Sequence, residues 1–255
     1  MYRSLLFAAA SILTFSGAAS AKEESTDTCY ELRTYYASEG KLEALHARFR
    51  NDTLRLFAKH HMKSIGYWVP IDNKEQKLVY LLSFPDRETR DKAWDAFHAD
   101  QEWIDAKAKS EENGVLIDHL TDQFLTPTDF STVTYKPADK PHTFELRTYT
   151  ATEGNLPNLL TRFRDHTVSI FTRCGMEHFH YFTPMKGEPG ADQTLVYFLA
   201  HASPEARNAS WQKFGSDPEW VKALKESEAN AGGSLTVPNG VKSELLTPTD
   251  YSPVQ

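Results

Sequence analysis

The chain has 255 residues, and its 28 Lys and Arg against 35 Asp and Glu give a formal net charge of −7. Charged residues make up 25% of the chain and hydrophobic residues 40%, which is ordinary for a globular protein and excludes a disordered, collagen-like or multi-span membrane chain. The acidic balance argues against nucleic acid or an anionic membrane as a partner held by bulk charge. Two cysteines cannot form a disulfide framework.

Residues 1–21 have the pattern of an export signal. Arg3 supplies a short positive region, and Leu5 to Phe15 form an uncharged apolar run that is shorter than the ~20 residues of a membrane-spanning helix. Ala19-Ser20-Ala21 is a small-x-small cleavage site. We therefore expect a cleaved signal peptide and an exported protein, periplasmic or secreted, with no membrane contact in its mature form.

The rest of the chain is a tandem repeat. The run Glu31-Leu32-Arg33-Thr34-Tyr35 recurs as Glu145-Leu146-Arg147-Thr148-Tyr149, 114 positions later. Residues 29–70 and 143–184 are identical at 18 of 42 aligned positions. A repeat of this length indicates a duplicated domain and not a solenoid unit.

Both copies close with the same motif, because Thr126-Pro127-Thr128-Asp129 returns as Thr247-Pro248-Thr249-Asp250. Between the copies, Pro137 and Pro141 mark a short, extended, polar linker. These observations predict a first domain (half one), a linker and a second domain (half two), with the bounds 28–131, 132–141 and 142–252.

Each half has the hydrophobic pattern of strand, helix, strand, strand, helix and strand. This βαββαβ order is that of the ferredoxin-like split motif. Such a unit leaves one face of its sheet bare, and an apolar face must be covered. We predict an α+β protein in which two tandem ferredoxin-like domains pack sheet to sheet as an intramolecular pseudo-dimeric barrel with a cavity inside and helices outside. The alternative is two independent domains that each pair with a second chain, and a homodimer of such chains is possible.

The repeated Glu-Leu-Arg-x-Tyr strand, the Arg48-Phe49-Arg50 helix with its copy Arg162-Phe163-Arg164, and the closing Thr-Pro-Thr-Asp motif resemble the NIPSNAP family. The resemblance spans nearly all of both halves. It implies the dimeric α+β barrel fold and a family without a well-defined biochemical activity. Relatives with the same barrel include small monooxygenases, haem-degrading enzymes and isomerases, so the resemblance does not select one chemistry.

The first strand of each half carries the strongest candidate site. Side chains alternate along a strand, so Glu31, Arg33 and Tyr35 share one face, and Tyr30 and Leu32 share the other. Because the apolar pair suits packing on helices, we expect the polar row to face the barrel cavity, as a ligand site or as an internal ion pair. The corresponding row in half two is Glu145, Arg147 and Tyr149.

Three histidines are weaker candidates. His178 and His180 are two residues apart on a predicted strand, so both could face one metal ion, with His201 as a third ligand. Two histidines do not make a ligand set, so we predict no metal and no other cofactor, and ordinary strand histidines are the alternative. Pairing of Cys29 with Cys174 in a disulfide stays open at this point.

Three functions follow. The first is binding of a small molecule in the barrel cavity near Arg33 and Arg147. The second is a cofactor-independent monooxygenase-like or isomerase-like enzyme that uses Tyr35, Tyr149 or His180 as acid or base. The third is a protein-interaction module whose interior is filled by side chains. The sequence contains no Gly-rich phosphate loop, nucleophile elbow or zincin motif.

Overall fold

The computed structural model describes residues 28–255, so the predicted export signal lies outside the described residues. Each half supplies four strands, and two helical regions separate them. The strands are β1 Cys29–Ala37, β2 Lys63–Pro70, β3 Lys77–Phe84, β4 Ile117–Pro127, β5 Thr143–Ala151, β6 Glu177–Pro184, β7 Thr194–His201 and β8 Thr236–Pro248. The helices are α1 Leu42–Arg48, α2 Leu54–Lys59, α3 Arg87–Ala99, α4 Gln101–Ser110, α5 Leu156–Arg162, α6 Val168–Arg173, α7 Pro204–Gly215 and α8 Pro218–Ala231. Within residues 28–255, no helix is long and apolar enough to cross a membrane.

The eight strands close into one antiparallel barrel in the order β1-β3-β2-β8-β5-β7-β6-β4. Within each half the first strand lies between the third and the fourth. The halves meet at two short seams, where β2 pairs with β8 and β4 pairs with β6. The predicted mixed α+β fold with tandem halves is confirmed, and the alternative of two separate domains is wrong because the barrel closes within one chain.

The barrel interior is a packed core, and not the polar chamber that we expected. Tyr30 and Leu32 point inward, and the indole of Trp68 lies 5.2 Å from the ring of Phe198 and 5.4 Å from that of Phe144, measured between ring centroids. Aliphatic and aromatic side chains from all eight strands form the buried core inside the barrel, together with the imidazole of His180. Two further cores lie outside the barrel, one between each half's sheet and its helices.

The first helical region of each half is interrupted by a π-helical turn at the same place. The turns span Phe49–Thr53 and Phe163–Thr167, within the region where the hydrophobic pattern of each half predicts one helix. In half one the hydroxyl of Thr53 donates to the carbonyl oxygen of Arg48 at 3.2 Å, and Thr167 does the same for Arg162 at 3.1 Å. Inserted π turns occur frequently at functional sites.

The repeated closing motif joins each half to the other. The backbone N–H of Thr249 donates to the carbonyl oxygen of Tyr67 at 2.9 Å, and the hydroxyl of Ser252 accepts from the N–H of Tyr67 at 3.0 Å. The carboxylate of Asp250 accepts two hydrogen bonds from Arg50, each 2.8 Å long. The first copy of the motif makes the equivalent contacts with half two through Thr128, Ser131 and Asp129.

Candidate functional site

The polar row of β1 points toward the helices. Glu31 is fully buried and accepts hydrogen bonds from Arg33 Nη1 at 2.6 Å and from the indole of Trp94 at 2.7 Å. Arg90, on α3 like Trp94, donates to the same carboxylate through Nε at 3.0 Å and through Nη2. Tyr35 extends the row, with its hydroxyl 3.4 Å from Arg33 Nη2. The prediction that Glu31, Arg33 and Tyr35 face a barrel cavity is therefore wrong.

The reason lies in how a buried charge is satisfied. A buried ion pair is tolerated only where further hydrogen bonds reach it, and long side chains from a covering helix supply them here. Burial by itself would raise the pKa of Glu31, but hydrogen bonds from Arg90 and the charge of Arg33 outweigh it and hold that pKa below its ordinary value. A ligand role for these groups stays a prediction.

Half two builds the same network around Glu145, so the second row, Glu145, Arg147 and Tyr149, is also assembled and also faces helices. Burial would raise the pKa of Glu145, but hydrogen bonds from His201 and Arg207 hold it far below its ordinary value. The donors to this carboxylate are Arg147 Nη1 at 2.6 Å, Arg207 Nη2 at 2.7 Å, Trp211 Nε1 at 2.7 Å, Ser243 Oγ at 2.6 Å and His201 Nε2 at 3.1 Å.

The three candidate metal ligands lie apart. His178 and His180 are on opposite faces, because a β-bulge shifts the register of β6 against β7 between His178 and Tyr181, and His180 has a positive φ of 78°. His178 Nδ1 lies 2.6 Å from the hydroxyl of Tyr181, while His180 stacks on Phe182 in the barrel interior. His201 is held by the carboxylate network of half two. The predicted common face for the histidines is wrong, and within residues 28–255 no group of three metal-ligating side chains assembles.

The two cysteines are free. Cys29 belongs to the outer core of half one and Cys174 to that of half two. Burial raises the pKa of the Cys29 thiol to about 11, so this thiol stays protonated and poorly nucleophilic near neutral pH.

Sequence reasoning missed the most site-like feature, which is a cavity between the helices and the sheet of half one. The cavity has a volume of about 30 Å³ and lies beside the π turn. Four polar side chains border it among aromatic rings, namely Tyr35, Arg48, Thr53 and His98. Burial and the nearby charge of Arg33 lower the pKa of His98, which keeps this imidazole neutral at pH 7. The signal for Arg48 was present in the sequence as the repeated Arg-Phe-Arg, but nothing marked His98.

Arg48 is almost fully buried and incompletely satisfied. Its Nη1 atom donates to Glu111 at 2.8 Å, and its guanidinium lies 5.3 Å from the ring centroid of Trp103. Its Nε atom has no hydrogen-bond partner among the described residues. Outside the cavity, a surface groove of about 520 Å³ is bordered by His98 and Trp103 as well. These two rings therefore separate the cavity from solvent.

The same fold occurs in two of three solved structures to which this chain is similar, those of the Lactobacillus acidophilus and Fusobacterium nucleatum proteins. A Lactobacillus acidophilus protein named "putative monooxygenase" is 12% identical, with a TM-score of 0.58 over 90% of this chain and 97% of that chain. A Fusobacterium nucleatum protein of the same name is 10% identical, with a TM-score of 0.57 over 88% and 93%. An uncharacterized NIPSNAP domain protein from Burkholderia xenovorans is 20% identical and spans 40% of this chain and 96% of its own, with a TM-score of 0.36.

At 12% and 10% identity, the first two structures establish a shared fold and not a shared chemistry. No curated protein matches this chain. The NIPSNAP family model matches residues 30–132 and again residues 144–253, which together are most of the chain and contain both copies of the repeated motifs. The protein belongs to the NIPSNAP family and carries two tandem copies of its domain.

Proposed function

We propose that this chain binds a small organic molecule between the helices and the sheet of half one, and not inside the barrel. The observation that carries the proposal is the cavity beside the π turn, where Arg48, Tyr35 and His98 meet a wall of aromatic rings. Ligand sites are concave and mostly apolar, with a few convergent polar groups that fix orientation. The core inside the barrel is instead packed with aliphatic and aromatic side chains from all eight strands.

The proposed ligand enters by displacing the two rings at the border. A cavity of about 30 Å³ holds one or two water molecules at most, so an organic ligand needs more space than the closed form provides. Movement of Trp103 and His98 would join the cavity to the groove of about 520 Å³. The joined site suits a planar apolar body with one carbonyl or anionic group directed at Arg48.

Native mass spectrometry of the chain purified from its own host tests the proposal. We expect a co-purifying small molecule that is retained by the wild type and lost from Arg48→Met, which keeps the length of the side chain and removes its charge. The control is Lys225→Met, which removes the same charge from the exposed face of α8 and should retain the ligand. Absence of any co-purifying molecule, or equal retention by both variants, would refute the proposed site.

Enzymatic turnover at the same cavity is the second candidate. It is supported by the neutral imidazole of His98 and the hydroxyl of Tyr35 at the cavity wall, both of which are groups suited to proton transfer. The fold shared with proteins named as monooxygenases points to oxidation of the bound molecule by dioxygen. Once the ligand is known, Tyr35→Phe should leave its binding unchanged and stop oxygen consumption. A variant rate equal to that of the wild type would exclude Tyr35 from the chemistry, and a wild type that consumes no oxygen with the ligand bound would leave only binding.

The third candidate, an interaction module without a ligand, is the one that a filled barrel interior favours. The same mass spectrometry separates it from the first, because a module of this kind would carry no small molecule. We also infer that each half is a ferredoxin-like unit, from the position of its first strand between the third and the fourth. A homodimer of the chain stays a prediction.

We further propose that the protein is exported, on the pattern of residues 1–21. N-terminal sequencing of the protein recovered from the periplasm or medium should begin at Lys22. Recovery of the intact chain, starting at Met1 and confined to the cytosol, would refute this.

A further inference from the structure

We propose that half two carries a separate oxyanion site at Arg162, for a small molecule that bears a carboxylate or phosphate group. Arg162 ends α5 where the π turn begins, and it borders a pocket of about 210 Å³ between α5 and α8. This site lies in the other half from the cavity beside Arg48, so it does not depend on the function proposed above. The other residues around the pocket are Asn158, Thr161, His166, Ala223, Glu226, Ser227 and Asn230.

The guanidinium of Arg162 is buried without a counterion. The residue is 5% exposed, and its Nε has no hydrogen-bond partner among the described residues. Within residues 28–255 the guanidinium donates one hydrogen bond, from Nη1 to the hydroxyl of Ser227 at 3.3 Å. No carboxylate within residues 28–255 forms an ion pair with it, although the charge of Glu228 acts on it from farther away. A buried, unpaired charge is costly, and an anion bound in the pocket would remove that cost.

The equivalent arginine in half one has the counterion that Arg162 lacks. Arg48 forms an ion pair with Glu111 at 2.8 Å, whereas Glu228, the equivalent of Glu111, forms none with Arg162. Burial lowers the pKa of Arg162 and the charge of Glu228 does not make up for it, which is consistent with a cation whose partner is missing.

Several residues around the pocket also differ from their equivalents in half one in a way that favours anion binding. Asn158 and Thr161 stand where half one has Ala44 and Ala47, so two hydrogen-bonding side chains replace two methyl groups. His166 replaces Asp52, which exchanges an acidic group for one that is neutral or positive.

The opposing charge in the pocket is Glu226, which replaces Lys109 of half one. Its carboxylate lies 3.9 Å from Lys222 Nζ, and the His166 imidazole lies 3.8 Å from Glu219. Glu226 lies on the exposed side of α8, in contrast to the buried Arg162, so we place the anion at the guanidinium and Glu226 at the pocket mouth.

Isothermal titration of the full chain at constant ionic strength tests the site, with inorganic phosphate and acetate as the two probes. We expect one saturable site per chain for at least one probe. Saturation by phosphate alone assigns a phosphate-bearing ligand, saturation by acetate alone assigns a carboxylate, and saturation by both assigns a general oxyanion site. A chain that binds neither probe saturably overturns the proposal.

Substitutions then locate the binding. Arg162→Met should weaken it at least about 10-fold, as expected for loss of a charge-assisted hydrogen bond. Lys225→Gln, which removes the same charge from the exposed face of α8, should leave it unchanged. If Arg162→Met does not fold, two near-isosteric substitutions that preserve the fold replace it. Asn230→Asp should weaken anion binding several-fold, and Glu226→Gln should strengthen it several-fold. If neither Asn230→Asp nor Glu226→Gln changes the affinity for the anion, the anion binds elsewhere and the assignment is overturned.

Discussion

Acid should destabilise this protein in part through the imidazole of His178. The side chain is 1% exposed, with Nε2 2.8 Å from the hydroxyl of Thr172 and Nδ1 2.6 Å from the hydroxyl of Tyr181. Burial lowers its pKa from 6.5 to about 4. Between these values the unfolded chain binds a proton that the folded chain does not, so stability is complete above pH 6.5 and is lost as the pH falls toward 4.

The size of the His178 pKa shift gives the expected loss of stability. Each pKa unit corresponds to roughly 1.4 kcal/mol, so His178 alone should remove about 3 kcal/mol of unfolding free energy by pH 4. The substitution to use is His178→Ser, because half one has Ser64 at this position and its hydroxyl lies 2.6 Å from that of Tyr67. The variant is expected to lose roughly 2 kcal/mol at pH 8 through the cavity it creates.

Urea unfolding followed by tryptophan fluorescence from pH 8 to pH 4 measures both effects. The difference between wild type and His178→Ser should shrink or reverse as the pH falls, by about 3 kcal/mol over the range. Ser64→Ala is the control, since it disturbs the equivalent hydrogen bond without a titratable group and should give a difference independent of pH. Parallel curves for wild type and His178→Ser would show that His178 is not the titrating group.

Three further substitutions test side-chain packing and the contacts between the halves, with the free energy of unfolding in urea as the measurement. Gly66→Ala should lower the free energy of unfolding by roughly 1–3 kcal/mol, because the added Cβ would lie 2.2 Å from the ring of Trp68. Adding Trp68→Phe should restore most of that loss. A stable Gly66→Ala variant, or no recovery in the double variant, would contradict the close approach. Glu31→Gln should lower the free energy of unfolding by roughly 3–5 kcal/mol, because it leaves two guanidinium groups without their shared counterion. A loss below about 1 kcal/mol would mean that the Glu31 hydrogen-bond network contributes little to stability. Ser252→Ala should cost about 1–3 kcal/mol by leaving the buried N–H of Tyr67 without its acceptor from the other half, and wild-type stability would show that water replaces the hydroxyl.

The fold was predictable because its signals are periodic and repeated. The 114-residue offset between Glu31 and Glu145 revealed the duplication, and the need to cover a bare sheet face predicted a barrel closed by both halves. The π turns were not predictable, since one inserted residue leaves the helical spacing of apolar side chains almost intact. The bulge in β6 was not marked in the sequence either, and it reversed the side on which His180 lies.

The candidate site was predicted in composition but not in orientation. The pairing of Glu31 with Arg33 followed from strand alternation and is present at 2.6 Å. Its direction did not follow, because the sequence does not say which face of the sheet receives extra donors, and those donors come from Arg90 and Trp94, some 60 residues away. The repetition of Arg90 as Arg207 was the available clue, since an exposed helix residue has no need to recur.

Fusion of the two halves into one chain explains why their pockets differ. In a homodimer both halves carry the same side chains, so each change occurs twice around the symmetry axis. In this chain Gly66 makes room for Trp68, whereas half two has His180 stacked on the smaller ring of Phe182 in the equivalent places. Each pair fills the barrel in its own way, so one half changed without forcing the other to follow. The same freedom lets Arg48 have a counterion that Arg162 lacks, so the arginine of half one borders a closed cavity and that of half two borders an open pocket.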